Sequence, residues 1–244
     1  MRMAGFPAIL TTVTTMREAT QQVTLLRLMT WLSPAFPIGA FSYSHGIERA
    51  IHDGVICDRP SLMSWLQDIV ERGSGWNDAV LLAEAWRSEC AGNGGDVVAE
   101  LSEALAGSRE RQMETMLQGG AFASASSDWS AASTAGPALL DVQEGSVAYP
   151  VAVGRMAARH GIALDQALGA FLHAYSSNLI QAAVRLVPLG QRDGVAAIAE
   201  LEPVLLATAE CAAGSTLDSL GSATFLSEIA AMRHEVQYSR VFRS

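Results

Sequence analysis

Apolar positions recur at helical spacing along most of the chain. Leu164, Leu168, Phe171, Tyr175, Leu179, Ala182 and Leu186 fall three or four apart, which predicts one face of a long helix. Leu172, Ile180 and Val187 widen that face, so this helix is expected to be central and buried on several sides. Pro188 and Gly190 end it, because proline cannot continue the ladder and glycine takes the turn. Val23 to Leu32 is apolar at 25, 28, 29 and 32 and stops at Ser33-Pro34. Asp58 with Pro60 predicts a helix start ahead of Leu62, Trp65, Leu66 and Ile69, with a stop at Gly73. Asn77 or Asp78 is expected to cap the next helix, which ends near Gly92. Asp96 caps a short one through Leu105. Ser108 opens a segment from Arg109 to Gln118 that Gly119-Gly120 closes. Pro150 begins a segment that closes at His160-Gly161. Further helices are expected over Val195 to Ala213, with Pro203 as the point of bending, and over Ala223 to Met232.

Alternating β-branched residues are confined to Thr11 to Thr15. Loops are expected over Ser33 to Ala40, Ser124 to Pro137 and Thr216 to Ser222. The pattern predicts an all-α fold: a single-domain helical bundle of about ten helices with a long central helix, a flexible N-terminus and a C-terminal tail. The expected divisions are a leader over residues 1–22, a helical domain over 23–232 and a tail over 233–244.

Composition narrows the function. The chain has 244 residues, half of them hydrophobic, and a net charge of −9. That length buries a core without disulfide or metal staples, and an acidic surface disfavours nucleic acid. All 16 basic residues are arginine. Chemistry that needs an amine is thereby excluded: Schiff bases, the P-loop lysine and a serine–lysine dyad. Cys57, Cys90 and Cys211 are odd in number and far apart, which suits a reducing cytoplasm better than a disulfide framework. No segment reads as a membrane helix, and the leader does not read as a signal peptide.

Candidate chemistry is sparse. His45 and His52, seven apart, are expected on one face of a helix that begins near His45, with Ser42 or Ser44 as its cap. Two turns of rise, about 10 Å, are too long for both to bind one metal. There is no GxSxG elbow, and Ser42 or Ser44 next to His45 is too close in sequence to work as nucleophile and base. Glu100 with Glu103 and Glu200 with Glu202 read as solvated helix faces.

Two segments stand apart. Ser33-Pro34-Ala35-Phe36-Pro37-Ile38-Gly39-Ala40-Phe41-Ser42-Tyr43-Ser44-His45-Gly46 combines two prolines, two glycines, three serines and aromatics, and reads equally as a rigid elbow or a binding loop. The tail, Arg233-His234-Glu235-Val236-Gln237-Tyr238-Ser239-Arg240-Val241-Phe242-Arg243-Ser244, carries three arginines and one acid, with apolar residues between them. Arginine and tyrosine dominate interface hot spots, so the tail reads as a segment that orders on a partner or as a disordered terminus.

These segments, with Arg185-Leu186-Val187-Pro188-Leu189-Gly190-Gln191, resemble the UreF family of urease accessory proteins. The family pattern SPALPVGGFSYSHGLE reads SPAFPIGAFSYSHGIE here, and HExQYSRLFRS reads HEVQYSRVFRS. Ala40 and Val241 are conservative departures. Ser108-Arg109-Glu110-Arg111 and Tyr149-Pro150-Val151-Ala152 also sit where the family has similar motifs. The match spans Leu25 to Ser244 in order. The resemblance implies an all-α homodimer in the cytoplasm that is not an enzyme. It implies binding to UreD (UreH in some organisms) and, with it, recruitment of the GTPase UreG to apo-urease for nickel insertion. It implies no cofactor and no metal ligands of the chain's own, nickel being handled by the complex. Tyr43 and Arg240 match positions the family needs for assembly. Ser42, Ser44, His234, Glu235, Tyr238, Ser239 and Phe242 complete the expected partner-binding set. Two further expectations attach to it: Arg240 could instead act on UreG as a GTPase-activating arginine, and His45 or Glu48 could line a nickel path.

Overall fold

Helix ends follow local side-chain chemistry in the computed structural model, which describes residues 21–93, 96–131, 147–186 and 189–244. Asp58 accepts from the Ser61 amide at 2.9 Å while Ser61 Oγ accepts from the Asp58 amide at 3.1 Å, a reciprocal cap. Ser108 Oγ accepts from the Arg111 amide. Helix α1 covers residues 21–31. After it come α2 (Ile47–His52), α3 (Arg59–Arg72), α4 (Ser74–Cys90), α5 (Asp96–Ala104), α6 (Arg109–Ala125), α7 (Ser127–Ala131), α8 (Tyr149–Arg159), α9 (Leu164–Leu186), α10 (Gln191–Ala213) and α11 (Phe225–His234). There is no strand among the described residues. The predicted leader lies almost wholly, and Thr11 to Thr15 wholly, outside the described residues, as do Pro188 and residues 132–137 of the predicted loop.

Helix α4 packs along α8, α9 along α10, and α6 on α8. One core cluster runs from Trp31 of α1 to Ala230 of α11 and includes Leu66, Leu82, Phe122, Met156 and Leu172. Each such side chain contributes about 1.5–3 kcal/mol through burial. The long helix α9 is central, as its broad apolar face requires. None of the described helices is long and apolar enough to cross a membrane.

Several boundaries differ from the sequence pattern, two of them because glycines serve packing, and helix α7 occupies part of the loop expected over Ser124 to Pro137. Helix α4 starts at Ser74, not at Asn77 or Asp78. Gly73 is extended, and Gly75 lets the new helix fold tightly back on α3, since a Cβ there would lie 3.0 Å from the Ile69 carbonyl oxygen. Asn77 instead accepts from the Gly221 amide at 2.9 Å, and Asp78 turns inward. Helix α6 runs through Gly119-Gly120 to Ala125. A Cβ on Gly119 would collide with the Val147 carbonyl oxygen, so this glycine admits the chain entering α8 and does not end α6. Helix α10 begins at Gln191 rather than Val195, its first turn held by the Gly190 amide donating to Asp193 Oδ2 at 3.1 Å.

Gly119→Ala should therefore destabilise the fold by about 3 kcal/mol, the upper end for overpacking. Gly169→Ala, in open space on α9, should stabilise it by about 0.5–1 kcal/mol. Urea-unfolding midpoints of the two variants should move in opposite directions.

Candidate functional site

The loop after α1 turns through two left-handed residues in succession. His45 has φ 52° and Gly46 φ 79°. This turn moves the start of α2 to Ile47, with Gly46 at the cap position and no side-chain cap. Ser42 and Ser44 do not cap it; Ser44 Oγ reaches the Glu48 amide only at 3.4 Å. A Cβ on Gly46 would lie 2.7 Å from the Ala231 nitrogen, so glycine is required for α2 to meet α11. His45 and His52 do not share a face: His45 is buried against α6, whereas His52 is exposed at the end of α2.

His45 belongs to a buried ionic cluster. Its Nε2 lies 2.7 Å from Glu114 Oε1 and its Nδ1 lies 3.2 Å from the Tyr175 hydroxyl. Arg111 Nη1 is 2.7 Å from Glu114 Oε2 and 2.6 Å from the same His45 nitrogen. Arg111 also faces Asp78 at 3.5 Å, and Gln118 donates to Glu114 at 2.9 Å. Burial works against the Glu114 carboxylate, but Arg111 and His45 outweigh it and hold it at about 2. Burial pushes Asp78 up to about 6, with Arg111 opposing. Burial and then Arg111 lower His45, against the pull of Glu114. His45 Nε2 is thus shared between the Glu114 carboxylate and the Arg111 guanidinium, while Nδ1 faces the Tyr175 hydroxyl. Cavities of about 270 and 260 Å³ are both lined in part by His45, Asp78, Arg111 and Thr115.

Glu48 organises the second cluster. Its carboxylate accepts from the Val241 amide at 2.7 Å and the Phe242 amide at 2.8 Å, and lies 3.2 Å from His234 Nε2. His234 Nδ1 lies 2.8 Å from Glu110, which also pairs with Arg240. Glu235 accepts from the Arg109 amide at 2.9 Å, where α6 begins and an acid is favoured. The tail then pairs with the loop. Arg243 donates its amide to the Ser42 carbonyl at 2.7 Å, the Ser44 amide donates to the Ser244 carbonyl at 2.7 Å, and Ser44 Oγ donates to the same oxygen. Arg185 lies over the Phe242 ring at 5.8 Å and donates to the Phe41 carbonyl, and Asn178 donates to that of Ala40.

The predicted partner-binding residues therefore come together but divide into two kinds. Tyr43, Ser44, His234 and Phe242 are buried, and Ser42 and Glu235 are half-buried; Ser42 and Ser44 bond the tail directly, His234 and Phe242 bond Glu48 of α2, and Glu235 ties the tail to the start of α6. Tyr238 is fully exposed, and Ser239 and Arg240 also face outward. His45 and Glu48 are both buried and engaged with the partners given above, and His45 also lines both cavities. Among the described residues, no group of three or more His, Cys, Asp or Glu is placed to hold a metal ion. Sequence reasoning missed Glu114, Gln118 and the inward role of Asp78. A signal for α6 was present: Arg111, Glu114, Thr115 and Gln118 form a polar stripe at helical spacing.

With this geometry in view, comparison with known proteins decides the family. The UreF family model matches residues 56–202. "Urease accessory protein UreF 1" of Brucella canis is 58% identical over 222 residues, covering 90% of this chain and 94% of that protein. "Urease accessory protein UreF" of Mesorhizobium japonicum is 53% identical over 231 residues, covering 94% and 100%. The chain belongs to the UreF family. Its Brucella anthropi relative, "Urease accessory protein UreF 1", is 51% identical over 236 residues, 97% of this chain and 99% of that protein. Similarity to UreF proteins thus extends well beyond the residues matched by the family model and takes in most of the loop–tail junction.

The raised Asp78 carboxyl gives this UreF-family site a pH signature. The folded state holds a proton on Asp78 between the ordinary 3.8 and about 6, so its contribution to stability is lost as pH rises through that window. His45, held below 6.5, contributes the opposite slope just under that value. Asp78→Asn isolates the first effect. Chemical unfolding measured from pH 4 to pH 7.5 should show the parent losing stability relative to the variant as pH rises; parallel profiles would refute the assignment.

Proposed function

We propose that this chain is an accessory protein of urease maturation that works as an adaptor. It binds UreD (UreH) and with it recruits the GTPase UreG to apo-urease, so that nickel, the cargo of the assembly, reaches the metallocentre. In this reading the chain acts in the cytoplasm as a homodimer, is not an enzyme and needs no cofactor of its own. The urease role is supported by the names of its relatives. The observation that carries the adaptor reading is the division within the tail. Its anchors, His234 and Phe242, are buried, while Val236, Tyr238 and Arg240 are exposed on the backbone those anchors hold. A preordered strap of this kind loses less entropy on binding than a free peptide would. Arg240 as a GTPase-activating arginine is the weaker reading, because its guanidinium is already paired with Glu110.

Truncation after Met232 would test folding as much as docking, since it strips Glu48 of its partners. Tyr238→Ala and Arg240→Ala are cleaner. Co-purification with UreD and then UreG should be weakened by Tyr238→Ala by about tenfold or more, as for an aromatic hot spot. If Arg240→Ala leaves assembly intact but abolishes GTP turnover by UreG, the activator reading replaces the adaptor one.

A further inference from the structure

His234 ends α11 and is completely buried. Both of its ring nitrogens face carboxylates. Nδ1 lies 2.8 Å from Glu110 Oε2 on α6, and Nε2 lies 3.2 Å from Glu48 Oε2 on α2. An ionised carboxylate only accepts hydrogen bonds, and a neutral imidazole carries a single N–H. A neutral ring would therefore turn a lone pair toward one of the two carboxylates. Only the doubly protonated ring donates to both. The charge balance points the same way. Glu48 is buried, and Glu110 largely so. Arg240 pairs with Glu110, but the only ion pair of Glu48 among the described residues is with His234. Its remaining partners are the amides of Val241 and Phe242. With His234 neutral, a buried carboxylate would lack a countercharge, which is strongly disfavoured. Arg233 and Glu235, the chain neighbours of His234, are engaged elsewhere, with Asp53 and with the Arg109 amide.

We propose that His234 is a proton-operated latch: as the imidazolium it clamps the end of α11 to α2 and α6, and its deprotonation loosens the tail from Glu48. The inference does not depend on the adaptor reading. Glu48 is the element through which the proton acts on the tail, because the same carboxylate holds His234 and the amides of Val241 and Phe242. Without the imidazolium, Glu48 gains by turning toward water, and the two amides lose their acceptor. The latched form holds one proton more than the released form wherever the released ring is neutral, that is above about pH 6.5. Latching therefore weakens as pH rises, by at most about tenfold per pH unit for one proton. Asp78 and His45 titrate below this range and do not produce such a slope.

The test uses the full chain with nitrogen-15 in its histidines, followed by NMR from about pH 6 to about pH 8.5. The His234 ring, assigned through its own backbone, should show protons on both nitrogens at the lower end of this range. Hydrogen exchange at the Val241 and Phe242 amides, corrected for the intrinsic effect of pH, should show protection falling by up to about tenfold per pH unit as the ring loses its second proton. Glu110→Gln supplies the chemical control. Its amide can donate to Nδ1, so a neutral ring satisfies both neighbours. That variant, its folding checked by a melting curve, should keep the protection and lose the slope. A ring that carries one proton throughout while the tail amides stay protected overturns the proposal, because the latch then holds without the imidazolium. Protection that stays level while the ring titrates overturns it as well. Both readings come from the unaltered chain, so they stand even if the variant fails to fold.

Discussion

Glu48 is a carboxylate only 6% exposed, carried on a helix of six residues. A helix that short has little stability of its own, and a buried carboxylate is tolerated only when it is hydrogen-bonded or paired. Both needs are met by the tail, through the amides of Val241 and Phe242 and the imidazole of His234. The dependence runs both ways, because those amides would otherwise be unpaired. Removing one side of such a buried arrangement typically destabilises by about 3–5 kcal/mol. The tail is therefore an integral part of the domain, although it carries almost no regular secondary structure after α11.

The second ionic cluster makes this joint rigid. Glu114 meets His45 and Arg111 on one side and accepts from the Ser244 hydroxyl at 3.2 Å on the other. Residues 44–48 are thus held between α6 and the tail, and the left-handed pair His45-Gly46 fixes the direction in which α2 leaves. Because the Gly46 backbone approaches Ala231 so closely, α11 can bring only small side chains to that contact. Alanines at 230 and 231 follow from this approach.

Helix identity was largely legible from spacing. The start and stop of α3, the run of α8 and the central place of α9 all follow from caps, prolines and apolar period. Glycines misled where packing, not termination, required them. Gly119 lies inside α6, and Gly75 lies just inside α4. The site was legible as two motifs but not as a division between anchors and exposed residues. Phe242 and Tyr238 are both aromatic residues in one short tail, and which is buried depends on Arg185 and Glu48, far away in sequence. The α6 stripe of Arg111, Glu114 and Gln118 is likewise indistinguishable from a solvated face until α9 and the loop are placed beside it.

The packing on α2 explains why the inner face of α11 is small, but it places no demand on the outer face. An exposed helix face with no partner loses nothing by being polar, and polar residues there would improve solubility. Phe225, Leu226, Ile229 and Met232 are therefore not explained by the fold of the single chain. The tail poses the same question: Glu48 and His234 hold the backbone in place whether or not Tyr238 is aromatic. Anchors buried by one set of constraints, and apolar residues exposed against another, occupy the same segment from Phe225 to Ser244. The core of the single chain accounts for the alanines and the histidine on the inner side of this element, and its largest apolar residues, turned outward, take no part in that core.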